Sequence, residues 1–156
     1  MNKSNVLEKI LWSVALPGFG QFLNGKYIKG LLFIALELII NVNSNFNEVI
    51  MLSFQGDITG SIRATDYQWL MFYPCVYMFA LWDAYRDAGG GKDTFAFVPF
   101  VVAAYLNTVG VIYSDTFMIL GILPGPIWLP MLFCFLGFAA GMVIQKFLKK
   151  LFVDES

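Results

Sequence analysis

The sequence predicts an all-α membrane protein: four transmembrane helices preceded by an N-terminal amphipathic or re-entrant helix, with both termini cytoplasmic. Three observations carry this. Only 13% of the 156 residues are charged and 58% are hydrophobic, whereas an ordinary soluble domain is about 25% charged. Mean hydropathy is +0.68, and several apolar runs approach the ~20 residues that cross a bilayer. The basic residues also gather on one side once those runs are threaded through a membrane. Residues 1–156 read as a single membrane domain.

Residues 4–25 form the interfacial or re-entrant segment. Leu7, Ile10, Leu11 and Val14 follow the spacing of one helical face, with Lys3, Glu8, Lys9 and Ser13 on the polar side. Asn5 with Glu8 resembles a capping box. Trp12 suits an interfacial depth. Pro17 ends or kinks the helix, and Asn24-Gly25 is a turn pair. Lys3 and Lys9 resemble the start of a signal peptide, but Pro17-Gly18 interrupts the apolar run and no Ala-x-Ala site follows, so the segment is expected to be retained.

The four spans are expected at about 28–46, 67–85, 95–113 and 126–144. The first is interrupted by Glu37 and ends among Asn41, Asn43, Asn45 and Asn47. Residues 53–66 are polar and read as a loop, and the run Gly89-Gly90-Gly91 marks a flexible loop after the second span. The third span has Asn107 as its one strongly polar member. The uncharged run Phe117–Ile144 carries Pro124, Pro126 and Pro130. Proline suits a first helical turn, so the fourth span starts near Pro126, with Phe117–Leu123 as a hydrophobic lead-in at the opposite interface. Residues 145–156 are a basic amphipathic tail attracted to anionic lipid.

If residues 6–23 do not cross, Lys3, Lys9, Lys26, Lys29, Arg86, Lys92, Lys146, Lys149 and Lys150 lie inside and only Arg63 lies outside. If they do cross, Lys3 and Lys9 move outside and a five-span chain results. The first arrangement satisfies the positive-inside rule better.

The chain has no histidine, which excludes Ser-His-Asp and Cys-His catalysis and histidine-ligated metals. Cys75 and Cys134 lie in apolar runs and read as small buried residues. A net charge of −1 gives no basic field for nucleic acid. No cofactor and no metal is expected.

Glu37, one turn before Asn41, is the acidic residue deepest in a span. An ionisable group there is costly unless paired or neutral. It is open to two readings: a proton- or cation-sensitive site, or a protonated side chain bonded to a neighbouring helix, with Asn107 or the broken N-terminal segment as partner. Asp83, Arg86 and Asp87 crowd one helix end. Arg86 can reach Asp83 at i−3, so the group reads as an interfacial salt-bridge cluster or as a carboxylate pair able to bind a divalent cation. Ala80, Ala84 and Ala88, and Gly137 with Gly141, are small-residue ladders that let helices approach within one chain or between two.

Residues Pro17, Gly18, Gly20, Gln21, Asn24, Gly25, Lys29 and Gly30 form a Pro-Gly-x-Gly-Gln…Asn-Gly…Lys-Gly pattern. It resembles small bacterial multi-pass membrane proteins of TM2-like type, whose glycine-rich entry leads into a helical hairpin. It is also similar to N-terminal segments of some sugar-transporter permeases. The stretch LWDAYRDA, residues 81–88, looks like a second recurring feature of such proteins. The chain has no Glu-Ala-Ala-type coupling loop, which argues against a permease subunit. The resemblance covers about residues 10–40 and implies no catalytic residue.

The expected function is therefore non-enzymatic: a multi-pass protein of the cell (inner or plasma) membrane, bacterial in type. It would act as an accessory or partner-binding subunit, with the lipid bilayer and another membrane protein or a second copy as partners. The alternative is a small oligomeric transporter or channel component using Glu37 and the broken helices. An enzyme acting on lipid through Asp83 and Asp87 is the weakest of the three.

Overall fold

The computed structural model describes residues 3–152, with side chains from Asn5 onward. The sequence expectations for Lys3 as a charged side chain, and for residues 153–156 of the tail, lie outside the described residues. Every regular element among those described is helical.

Helix α1, Lys3–Ala15, and helix α2, Phe19–Leu23, form a tight hairpin through Pro17-Gly18. Gly18 has φ 106°, a left-handed conformation that a side chain resists. A Cβ on Gly20 would lie 2.6 Å from the Lys9 carbonyl oxygen and would collide with Ser13 Oγ, so α2 runs back against α1 at backbone contact. One expectation fails here. Asn5 lies inside α1, not at its cap. The apolar stripe of α1 faces outward, with Leu7, Leu11 and Val14 exposed, while Ser13 is fully buried at the hairpin.

Helix α3, Tyr27–Asn43, carries the apolar part of the expected first span. It does not end in a loop. At Ser44-Asn45 the chain bends by 66° and continues as α4, Phe46–Phe54. Asn45 has φ 55°, a conformation asparagine tolerates better than most residues, and its side chain donates to the Ala64 carbonyl at 2.9 Å.

Residues 58–64, expected as loop, form α5, Ile58–Ala64. Gly56 stops α4 with φ 85° and Asp57 starts α5, its Oδ1 accepting from the Gly60 N–H at 2.8 Å. Ser61 is fully buried, bonded to Ser53 at 2.7 Å and to the Val49 carbonyl at 3.1 Å. The polar composition of this stretch folds inward. Asp57→Ala is expected to cost about 1 kcal/mol, as for other lost helix caps, read as a drop of roughly 2–4 °C in unfolding temperature for a chain of this size.

The second expected span is also broken, into α6, Tyr67–Leu70, and α7, Tyr73–Asp87. Pro74 lacks the N–H that would bond the Leu70 carbonyl, which explains the break at Met71-Phe72. Helix α8, Val98–Ile112, is the third apolar helix, 15 residues or about 22 Å long. A turn bridged by Ile119 and Ile122 then presents Leu120 almost fully exposed.

Helix α9, Gly125–Phe152, runs unbroken for 28 residues, about 42 Å. The expected fourth span and tail are thus one helix, and Pro130 lies within it without ending it. Lys149 pairs with Asp93 and holds the tail against the loop after α7.

Helix α9 is the one helix among those described that is long and apolar enough to cross a membrane alone, and α3 with α4 passes only as a bent pair. Among the described residues, length and composition thus support one span, or two if the bent pair counts as one. The expected first span is one helix, α3, followed past a bend by α4; the second is two helices, and the third is short.

Candidate functional site

Two features place ionisable side chains among the buried residues of the assembly. The first joins the N-terminal motif to the end of α7. Gln21 is fully buried, and its Nε2 donates to the Ala80 carbonyl at 2.8 Å and to Asp83 Oδ2 at 3.3 Å. Asn24, one turn on, donates from Nδ2 to the Ala84 carbonyl at 2.8 Å. Lys29 Nζ then donates to Asp83 Oδ1 and Asp87 Oδ2, both at 2.8 Å. Arg86 Nη2 donates to Asp83 Oδ1 at 2.8 Å and lies 3.9 Å from Asp87 through Nε. Two cations and two carboxylates make a neutral cluster. Asp83 is 2% exposed.

The local sequence explains this convergence. Ala80 and Ala84 are fully buried and small enough for α2 to lie on α7, where a Cβ on Gly20 would approach the Ala84 methyl to 2.9 Å. Gly18 and Gly30 meet backbone to backbone, a Cβ on Gly18 lying 2.5 Å from the Gly30 oxygen. Pro17 is fully buried at the bend, and Gly25 supplies a left-handed turn, φ 73°, in open space. The motif and the Asp-bearing helix end are therefore two halves of one polar clamp. Lys29 occupies the position between the two carboxylates that a divalent cation would take. Sequence reasoning placed Asp83, Arg86 and Asp87 together and put Lys29 at the membrane edge, but did not connect them.

The second feature surrounds Glu37, which is 7% exposed on α3. Its partner is neither Asn107 nor the N-terminal segment. Tyr73 donates its hydroxyl to Glu37 Oε1 at 3.2 Å, and Glu37 Oε2 has no hydrogen-bond partner among the described residues. Asn41 does not join it either; it donates to Asn47 at 3.1 Å across the α3–α4 bend. Tyr77, one turn after Tyr73 with ring centroids 5.6 Å apart, donates to the Val14 carbonyl at the end of α1 at 2.7 Å. Sequence reasoning missed both tyrosines. Their i, i+4 spacing in an apolar run was the available signal.

Tyr73 and Tyr77 form part of the wall of a groove of about 740 Å³ between α4, α7, α8 and α9. Asn107 of α8 and Cys134 of α9 add polar atoms, and Phe46 and Phe138 are among the aromatic walls. This volume falls within the ~300–1,000 Å³ of typical small-molecule sites, which are mostly apolar with a few placed polar groups. No protein-family model matches the chain, and no curated protein or solved structure does.

Proposed function

We propose that this is a multi-pass protein of the cell membrane that acts without enzymatic chemistry, as an accessory or partner-binding subunit. The observation that carries the reading is the inverted partition of side chains. Gln21, Glu37, Asp83 and several serines are buried, while Ile28 is 86% exposed and Val42, Phe135 and Val143 are also exposed. Water would penalise that surface and lipid would not. Broken helices are tolerated at membrane depth where protein or a cavity covers them, and short ones such as α8 favour association through hydrophobic mismatch. The resemblance of residues 10–40 to small TM2-like membrane proteins agrees with this reading.

Single cysteines in a Cys75→Ser/Cys134→Ser background test the topology. Lys92→Cys is expected to react with an impermeant maleimide only from the cytoplasmic side, and Arg63→Cys only from the outer side. Labelling of both from one side overturns the four-crossing arrangement. A photo-crosslinker at Phe135 in native membranes tests the partner: a defined adduct with a second copy or another membrane polypeptide is expected, and an uncrosslinked monomer alone sinks the partner-binding role.

A second reading, a small oligomeric transporter or channel component, is favoured by one observation: the unpaired, buried Oε2 of Glu37. In that case Glu37→Gln abolishes solute or ion flux in liposomes, and unchanged flux removes the reading.

A further inference from the structure

We propose that the groove between α4, α7, α8 and α9 binds a neutral lipid with one hydrocarbon chain, the chain lying beneath α4 and its hydroxyl or ester head at Asn107. The inference rests on the membrane reading for the ligand's route of entry. Binding in nanodiscs, whose two faces are both accessible, is measured apart from topology, so each can fail without the other.

The first observation is shape. On α9 the lining residues Pro126, Pro130, Cys134, Phe138 and Met142 recur every four positions, and on α7 Tyr73, Tyr77 and Leu81 do the same. Each set is one continuous helix face. Both helices pack on α8, and no comparable contact joins them to each other. The groove is therefore a slot with α8 as its floor. From Pro126 to Met142 it is about 24 Å long. Its volume of about 740 Å³ then gives a mean cross-section of about 30 Å². That space suits a single extended chain. A helix, about 10 Å across, needs more than twice as much, so a helix of a partner or of a second copy does not fill it.

The second observation is charge. No charged side chain lines the groove. An ion drawn into it would lose its hydration with no counter-charge to replace it. The Tyr73 and Tyr77 hydroxyls are already engaged, by Glu37 and by the Val14 carbonyl. The lining therefore selects a neutral occupant.

The third observation is Asn107. A Cβ on Gly110 would meet Pro130 and one on Gly137 would meet Ala103, a register that sets Asn107 of α8 level with Cys134 of α9. Among the described residues the Cys134 thiol is the hydrogen-bonding partner of the Asn107 side chain, and a thiol bonds weakly. An amide carries two donors and an acceptor, so Asn107 keeps capacity for a hydroxyl or an ester carbonyl. From its level the groove runs about 12 Å to Pro126. There Leu70 and Ile127, both buried, wall it beneath Phe46 and Ile50 of α4. That apolar end takes the chain.

The test is competition for photolabelling of the full chain in phosphatidylcholine nanodiscs. The label is a 1-monoacylglycerol with a diazirine in its chain. Unlabelled 1-decanoylglycerol, decyl sulfate and decyltrimethylammonium compete at matched bilayer concentrations. Labelling is expected to saturate, and the neutral lipid to compete at least tenfold better than either ion. Adducts are expected on groove residues such as Leu70 and Ile127, not on the outward-facing Ile28 and Val143. Asn107→Leu is expected to weaken monoacylglycerol binding at least fivefold and to leave labelling by a diazirine alkane unchanged. Labelling that does not saturate, equal competition by all three compounds, or adducts spread over the outward face overturns the proposal without any variant. So does undiminished affinity in a folded Asn107→Leu protein.

Discussion

Lys29→Met is expected to lower the unfolding temperature of the purified protein in micelles by roughly 6–12 °C, corresponding to about 3 kcal/mol for a chain of this size. The reasoning starts from burial. Asp83 and Asp87 have side chains 3% and 14% exposed, and Lys29 bridges them at 2.8 Å on each side. Methionine keeps the length of the lysine stem and removes the charge. Buried Asp83 and partly exposed Asp87 are then left with Arg86 as their cation, which is half exposed and 3.9 Å from Asp87, and with the neutral Gln21 amide on Asp83. Breaking a buried ion pair by removing one partner costs about 3–5 kcal/mol because the other is left uncompensated. The lower end applies, since Lys29 itself is 40% exposed and gives up some hydration on pairing. The double variant Lys29→Met/Asp83→Leu removes one charge of each sign and leaves Asp87 with Arg86. It should regain most of the loss, as apolar replacement of buried ion pairs often does. If Lys29→Met unfolds within 2 °C of the wild type, the clamp does not hold the N-terminal hairpin on α7.

The clamp also shows where sequence reading reaches its limit. Both halves were legible, Pro17 to Gly30 as a motif and Asp83 to Asp87 as a charge cluster. Their union was not, because the bonds join residues 54 to 62 positions apart and local spacing carries no such information. Helical class and apolar character were legible from composition and period. The breaks were less so. Pro74 lies within the expected second span, yet a missing donor at that position interrupts the helix. Gly56-Asp57 falls in a stretch whose polar composition reads as loop, yet a glycine that stops one helix followed by an aspartate that caps the next is a helix–helix junction. Hydropathy misleads here for a physical reason: a short polar helix can turn its hydroxyls inward and bond them to a neighbouring helix. The serines of α4 and α5 do this, Ser53 and Ser61 bonding to each other at 2.7 Å.

The glycine pair of α9 is expected to behave as an internal packing device, and the prediction separates this from a dimer contact. Gly137→Leu and Gly141→Leu should each destabilise the monomer by about 3 kcal/mol or more, above the usual ~1–3 kcal/mol for overpacking a core. The contacts are with backbone, not with side chains that can rotate away. A Cβ on Gly137 would lie 2.7 Å from Ala103 Cα, and one on Gly141 2.5 Å from Pro99 Cα. A turn or more N-terminal in α9, a Cβ on Gly110 of α8 would lie 2.7 Å from Pro130 Cα, so the two helices approach closely along their length. Small residues at such crossings let backbones touch and gain dispersion contacts that lipid tails do not replace. The pair faces α8 within one chain and is buried there. Leucine would push α8 outward and shift Asn107 relative to Cys134, both of which line the groove. If the pair instead served a dimer, leucine would dissociate it while leaving the monomer's unfolding temperature unchanged. Unfolding measured at protein concentrations tenfold apart distinguishes the two. An internal contact gives a large, concentration-independent drop, whereas a dimer contact gives a wild-type temperature that rises with concentration and a variant temperature that does not.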